Sequence, residues 1–147
     1  MLAVVKSYGL KGLEGFPVQA EVDMHSGMPT YDIVGLADTA VKESKERVRS
    51  ALKNSGYNYP VASVVINLAP ADIKKEGSLY DLPIAIGMLA ASKQTEYQTL
   101  KPAVVLGELS LNGEVKRVNG ILPMLISARQ QGEKVFVIPQ GNAQEAV

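Results

Sequence analysis

The stretch Leu82–Ser92 is apolar on every side of a helix, with Ile84, Ala85, Ile86, Met88, Leu89 and Ala90 leaving no polar stripe. Such a helix has no face to give to water, so it has to lie between other layers of structure. The flanking segments supply the layers. Leu2–Ser7 is an apolar run, Val64-Val65-Ile66-Asn67-Leu68 is a β-branched one, and Val18–Asp23 alternates Val18, Ala20 and Val22 with Gln19, Glu21 and Asp23. Runs and alternations of this kind read as strands. At 147 residues the chain is long enough to bury a core around a central helix without cross-links.

The remaining elements follow from punctuation. Gly9, Gly12 and Gly15 predict a loop after the first strand, and Gly27-Met28-Pro29 predicts a turn into a short strand, Tyr31–Val34, so that the first three strands would form an antiparallel meander. Asp38 is a good N-cap for a helix over Ala40–Asn54, which Gly56 ends. Pro70–Leu79 reads as a loop. Asn112-Gly113 between Val104–Leu111 and Glu114–Val118 predicts a hairpin whose two turn residues both take positive φ. Pro123–Gln131 is a third helix and Val135–Ile138 a last strand. Asn142–Ala146 reads as a capped helix just begun, which leads to the expectation of an N-terminal piece of a longer protein. The whole is one α/β (α+β) domain, residues 1–147, with mixed strands and three main helices.

Composition narrows the chemistry. Fifteen Lys and Arg balance fifteen Asp and Glu, which excludes a bulk-basic nucleic-acid binder but not a local basic patch. With no cysteine there is no disulfide, thiolate metal site or cysteine nucleophile, and His25 is the single histidine. Asp23 and His25 share a strand face, but two ligands do not make a metal site. Gly9-Leu10-Lys11-Gly12 lacks the helix that a phosphate-binding loop leads into, so neither ATP nor another cofactor is expected in this segment. No apolar run approaches the roughly 18 residues of a membrane span, and Met1–Gly9 lacks the pattern of a signal peptide. The expectation is a cytoplasmic protein with no membrane partner. Ser78, just before the central helix, could be a nucleophile only with a lysine held beside its hydroxyl; Lys74 and Lys75 share its loop, and a helix N-cap is the simpler role.

The first helix carries the most informative surface. At 100° per residue, Val48 and Leu52 fall within about 20° of Val41 and define the buried stripe. Lys42, Lys45, Arg49 and Lys53 fall in one sector beside it, at about 100°, 40°, 80° and 120°. This ridge is either a solvated face whose stems cover apolar surface, or a contact for phosphates or an acidic partner whose binding weakens with salt.

Four stretches carry a family resemblance: Tyr31–Leu52 (YDIVGLADTAVKESKERVRSAL), Val65–Ile86 (VINLAPADIKKEGSLYDLPIAI), Gly107–Gly120 (GELSLNGEVKRVNG) and Val135–Pro139 (VFVIP). In order and spacing they resemble the N-terminal domain of the ComM/YifB proteins, magnesium-chelatase-like AAA+ ATPases also labelled competence proteins. The resemblance implies a following ATPase module, absent from this chain, with ATP and Mg²⁺ bound there. It also implies a ring-forming homo-oligomer, a hexamer, and action on DNA as a branch-migration helicase during transformation. The same order of elements resembles the Lon proteolytic domain and the ribosomal-protein-S5-domain-2-like fold. There a serine opens the central helix and a lysine follows a glycine at the later helix. Carried onto this chain, the serine position falls on Asp81 and the lysine position on Leu122. Neither can perform the acylation, so the resemblance implies a kept scaffold without the peptidase chemistry. A residual peptidase using Ser78 and a purely oligomerising domain are the two rivals. Nothing in the chain resembles a porphyrin site.

Overall fold

A computed structural model describes residues 1–96 and 98–146. Strands β1 (Leu2–Lys11) and β2 (Glu14–His25) form one long antiparallel hairpin, in register from Leu2 opposite Asp23 to Lys11 opposite Glu14. The loop expected across Gly9–Gly15 is therefore strand, and only Gly12-Leu13 turns. The two flanking glycines are there for space. A Cβ on Gly9 would come within 2.6 Å of the Phe16 ring and the Tyr80 hydroxyl, and one on Gly15 within 2.9 Å of Ser127.

The expected meander is also corrected. β3 (Thr30–Val34) leaves β2 and pairs in parallel with β4 (Ser63–Ala69), which itself lies antiparallel against β2. With β5 (Ala103–Val105) parallel to β1 and β8 (Val135–Val137) parallel to β5, the sheet order is β3-β4-β2-β1-β5-β8, a mixed six-stranded sheet. Putting β4 between β2 and β3 places this strand, rich in β-branched residues, inside the sheet.

The first helix starts where Asp38 accepts the Val41 N–H at 2.8 Å, but it breaks at Glu43 into α1 (Thr39–Lys42) and α2 (Ser44–Asn54). Its stripe is as expected: Val41, Val48, Ala51 and Leu52 are buried. The central helix, α3 (Asp81–Ala91), lies against β1 and β2 on one side and α2 on the other, which is the sandwiched position its composition demands. Strand alternation divides the core. Val5, Ala20, Val22, Ile66, Ala103 and Val105 join α2 and α3, whereas Tyr8, Val104 and Leu106 join α4 (Ile121–Gln130).

The segment expected as one strand from Val104 to Leu111 splits after β5 into a separate small ladder, β6 (Glu108–Leu109) with β7 (Val115–Lys116). Its turn closes with Gly113 N–H on Ser110 O and Ser110 N–H on Glu114 O. Of the two turn residues only Gly113 has positive φ, at +94°, so one left-handed residue suffices where two were expected. The last segment is a 3₁₀ turn at Gln140–Asn142. Buried Asn142 exchanges two hydrogen bonds with the Val118 backbone, each 2.9 Å.

Candidate nucleic-acid interface

The expected ridge resolves into a groove. Lys45, Arg49 and Lys53 line one side along α2, and Tyr31 of β3 and Tyr59 form its floor, with Pro29, Pro60 and Val61 opposite; the volume is about 280 Å³. Lys42 lies on α1, before the break at Glu43, and stands outside this lining.

Each of the first two cations sits on a ring. The Lys45 ammonium lies 5.8 Å from the Tyr31 ring centre and the Arg49 guanidinium 5.7 Å from that of Tyr59. Such pairs are attractive and hold long side chains in place. Burial pushes the Tyr31 hydroxyl well above its ordinary pKa, and the Ser44 hydroxyl at 3.5 Å pulls the other way. Tyr59 is raised by burial too, with Arg49 opposing. Both rings are thus neutral, apolar supports at physiological pH. Among the described residues, none of Lys45, Arg49 and Lys53 pairs with a carboxylate, and no carboxylate lines the groove.

Arg47, on the same helix, is used differently. Its Nε donates to Asp81 Oδ2 at 2.6 Å and its Nη2 to Asp81 Oδ1 at 3.0 Å and to Ala40 O at 2.7 Å. Asp81 is buried in the first turn of α3 and also accepts the Leu109 N–H at 3.1 Å. Burial pushes its carboxyl above the ordinary value, while Arg47 and the Leu109 N–H pull it down. The carboxylate at the helix-start position therefore ties α2, α3 and β6 together.

A second concavity opens beside it, about 470 Å³, where Ser78, Asp38, Glu76, Glu108, Lys74 and Arg117 meet. Ser78 is not the N-cap expected of it. That place is taken by Tyr80, and the Ser78 hydroxyl donates to Glu108. Asp38 accepts the Val41 and Gly77 N–H groups at 2.8 and 3.1 Å, Lys74 pairs with Glu76 at 3.4 Å, and Arg117 with Glu145 at 2.9 Å. Leu122, the residue at the expected lysine position, is 45% exposed on α4. Neither lysine of the loop is held beside the Ser78 hydroxyl. Lys74 is taken by Glu76, and Lys75 is fully buried, its ammonium donating to the carbonyls of Gly35, at 2.8 Å, and Pro70. Burial lowers the Lys75 pKa.

The Gly9–Gly12 stretch has its backbone in the β1–β2 hairpin, so it does not form a phosphate cradle. His25 and Asp23 meet at 3.1 Å at an exposed strand end, and no group of three or more metal-ligating side chains occurs among the described residues. Among the described residues, no helix is long and apolar enough to cross a membrane.

A mixed sheet with a buried central helix starting beside a serine-bearing loop defines a domain of the Lon-like, ribosomal-S5-domain-2-like class. Consistent with that class, the chain is 31% identical over 103 residues to Lon protease 2 of Bacillus subtilis, covering 70% of this chain and 18% of that protein. The model of the family described as subunit ChlI of Mg-chelatase matches residues 20–142, and the chain belongs to that Mg-chelatase-like family, in its ComM/YifB branch. It is 43% identical over 145 residues to competence protein ComM of Haemophilus influenzae, covering 99% of this chain and 28% of that one. It is 44% identical over 136 residues to YifB of Escherichia coli, covering 92% of this chain and 27% of that one. The chain thus spans a little over a quarter of the length of these curated relatives.

Proposed function

We propose that this chain is a non-catalytic domain of an ATP-driven motor acting on DNA in the cytoplasm, and that the groove along α2 is its own contact with the nucleic acid. The observation that carries the reading is three cations without carboxylate partners among the described residues, on one helix face above two tyrosine rings, in a chain whose formal net charge is zero. Like charges grouped on one exposed face raise the local positive potential and attract phosphates. Lys42, on α1 and outside the groove lining, is left out of this contact.

The name of the Haemophilus relative, a competence protein, supports a role in processing DNA during transformation. In this reading the motor is a branch-migration helicase. Its ATP and Mg²⁺ sit in a C-terminal AAA+ module, and that module and further copies of the chain in a hexameric ring are the partners of this domain. The carboxylate-bound Ser78 supports a scaffold without peptidase chemistry.

The test is fluorescence anisotropy of the 147-residue chain with labelled single-stranded and forked DNA at low and physiological salt, beside the variant Lys45→Glu/Arg49→Glu/Lys53→Glu. Salt-sensitive binding that the variant loses is the expected result. No binding at low salt overturns the assignment and leaves an assembly domain.

A further inference from the structure

Building on the DNA-contact reading of this groove, we infer that its ligand is single-stranded DNA, lying with phosphates along α2 and bases against the opposite wall. Lys45, Arg49 and Lys53 follow at four-residue intervals, so each step advances about 6 Å along the helix and turns about 40° around it. One sugar–phosphate unit of an extended strand covers a comparable distance. Three successive phosphates can therefore each meet one cation without bending the strand sharply.

The far wall is unlike the ridge. It is apolar and open to solvent: Val61 is 82% exposed, and Pro29, Pro60 and Ala62 line the groove with it. Apolar side chains lining an open groove suit a ligand with flat apolar faces. Unstacked bases offer such faces. A duplex keeps its base faces stacked inside and presents phosphates on both flanks, so it would use the ridge and leave the wall bare. The groove's volume of about 280 Å³ likewise suits a strand entering it better than a duplex lying across it.

The tyrosines complete the arrangement from below. Tyr31 and Tyr59 hold Lys45 and Arg49 by their ring faces, so the cations stand at the rim and the floor between the two walls stays apolar. The ring faces are taken up by the cations, so the bases lie against Pro29, Pro60 and Val61 and not on the tyrosines.

The experiment is competition against labelled oligo-dT, using three unlabelled competitors of equal length: oligo-dT, a blunt duplex and an abasic deoxyribose-phosphate oligomer. Oligo-dT is expected to compete about tenfold or more better than either of the others. Val61→Ser, a substitution at a solvent-exposed position, is expected to weaken oligo-dT about threefold and leave the abasic oligomer unchanged. If all three compete equally, or Val61→Ser weakens the abasic oligomer as much as oligo-dT, the bases do not touch the wall and the single-strand inference is wrong while the DNA contact stands. If nothing binds at low salt, or the ridge variant Lys45→Glu/Arg49→Glu/Lys53→Glu binds oligo-dT undiminished, the contact itself is wrong and the inference falls with it.

Discussion

Two concavities, one before the start of α3 and one along α2, hold their charges in opposite ways. The larger, near Ser78, contains both signs, and its charged groups are tied to the protein: Asp38 to two backbone N–H groups, Glu108 to Ser78, Lys74 to Glu76 and Arg117 to Glu145. The smaller, along α2, holds one sign, and two of its three cations rest on rings instead of carboxylates. Size favours the first as a binding site, and chemistry favours the second. A group whose field is already cancelled internally has little left for a ligand, and surface ion pairs of this kind are worth only about 0–1 kcal/mol each to stability. The contrast teaches that charges before α3 can be satisfied within the protein while those along α2 keep their outward field.

Arg47 and Arg49 put that contrast within one turn of α2, and breaking it there should have the largest effect. Arg47→Leu leaves the buried Asp81 carboxylate unpaired and is expected to destabilise the domain by about 3–5 kcal/mol in urea unfolding. The pH dependence has a definite sign. Burial raises the folded pKa of Asp81, so its contribution is complete below the unfolded value and is lost as pH rises through the folded one. Without Arg47 the folded value climbs further, and the deficit relative to the parent chain should shrink on acidification. A deficit that grows on acidification contradicts the assignment. Lys45→Glu/Arg49→Glu/Lys53→Glu should leave folding nearly intact, losing about 0.5–1 kcal/mol for each of the two ring contacts, while DNA affinity falls at least about tenfold. Asp38→Ala removes the acceptor for the Val41 and Gly77 N–H groups and should lower stability by about 1 kcal/mol, without changing DNA binding. Smallest of all, Ser78→Ala should change stability by no more than about 1 kcal/mol. Casein incubated with ATP and the full-length protein should stay intact whether that protein keeps Ser78 or carries the Ser78→Ala substitution; cleavage that requires the hydroxyl would restore the peptidase reading.

How much of this was legible in the sequence depended on whether a residue's environment is set locally. The apolar belt of α3 and the Val41, Val48, Leu52 stripe are consequences of helical period, and both are buried where the period puts them. The cationic sector of α2 was visible for the same reason. Partners far apart in the chain were not visible. β3 pairs with β4, about thirty residues on, because β4 can be covered on both edges, and nothing in Tyr31–Val34 encodes that choice. Gly9 and Gly15 read as a loop because glycine most often marks one. Their cause is the approach of Phe16, Tyr80 and Ser127, which only the packed sheet and helix bring together. Nothing in the helical period tells that Arg47 meets Asp81, 34 residues away on α3. Lys75 reads as one of a pair of loop lysines, yet it is the buried one, answered by two carbonyls. The tyrosine floor was missed because Tyr31 and Tyr59 come from separate segments that meet only under α2.

The most direct test of the comparison is to map backbone amide shifts by two-dimensional NMR while adding oligo-dT to the labelled chain at low salt. Thr30–Tyr31, Lys45–Lys53 and Tyr59–Ala62 should shift in a saturable, salt-reversible way, and Gly77–Tyr80, Glu108 and Arg117–Asn119 should stay still. Shifts confined to the Ser78 side, with the α2 groove silent, would contradict the account.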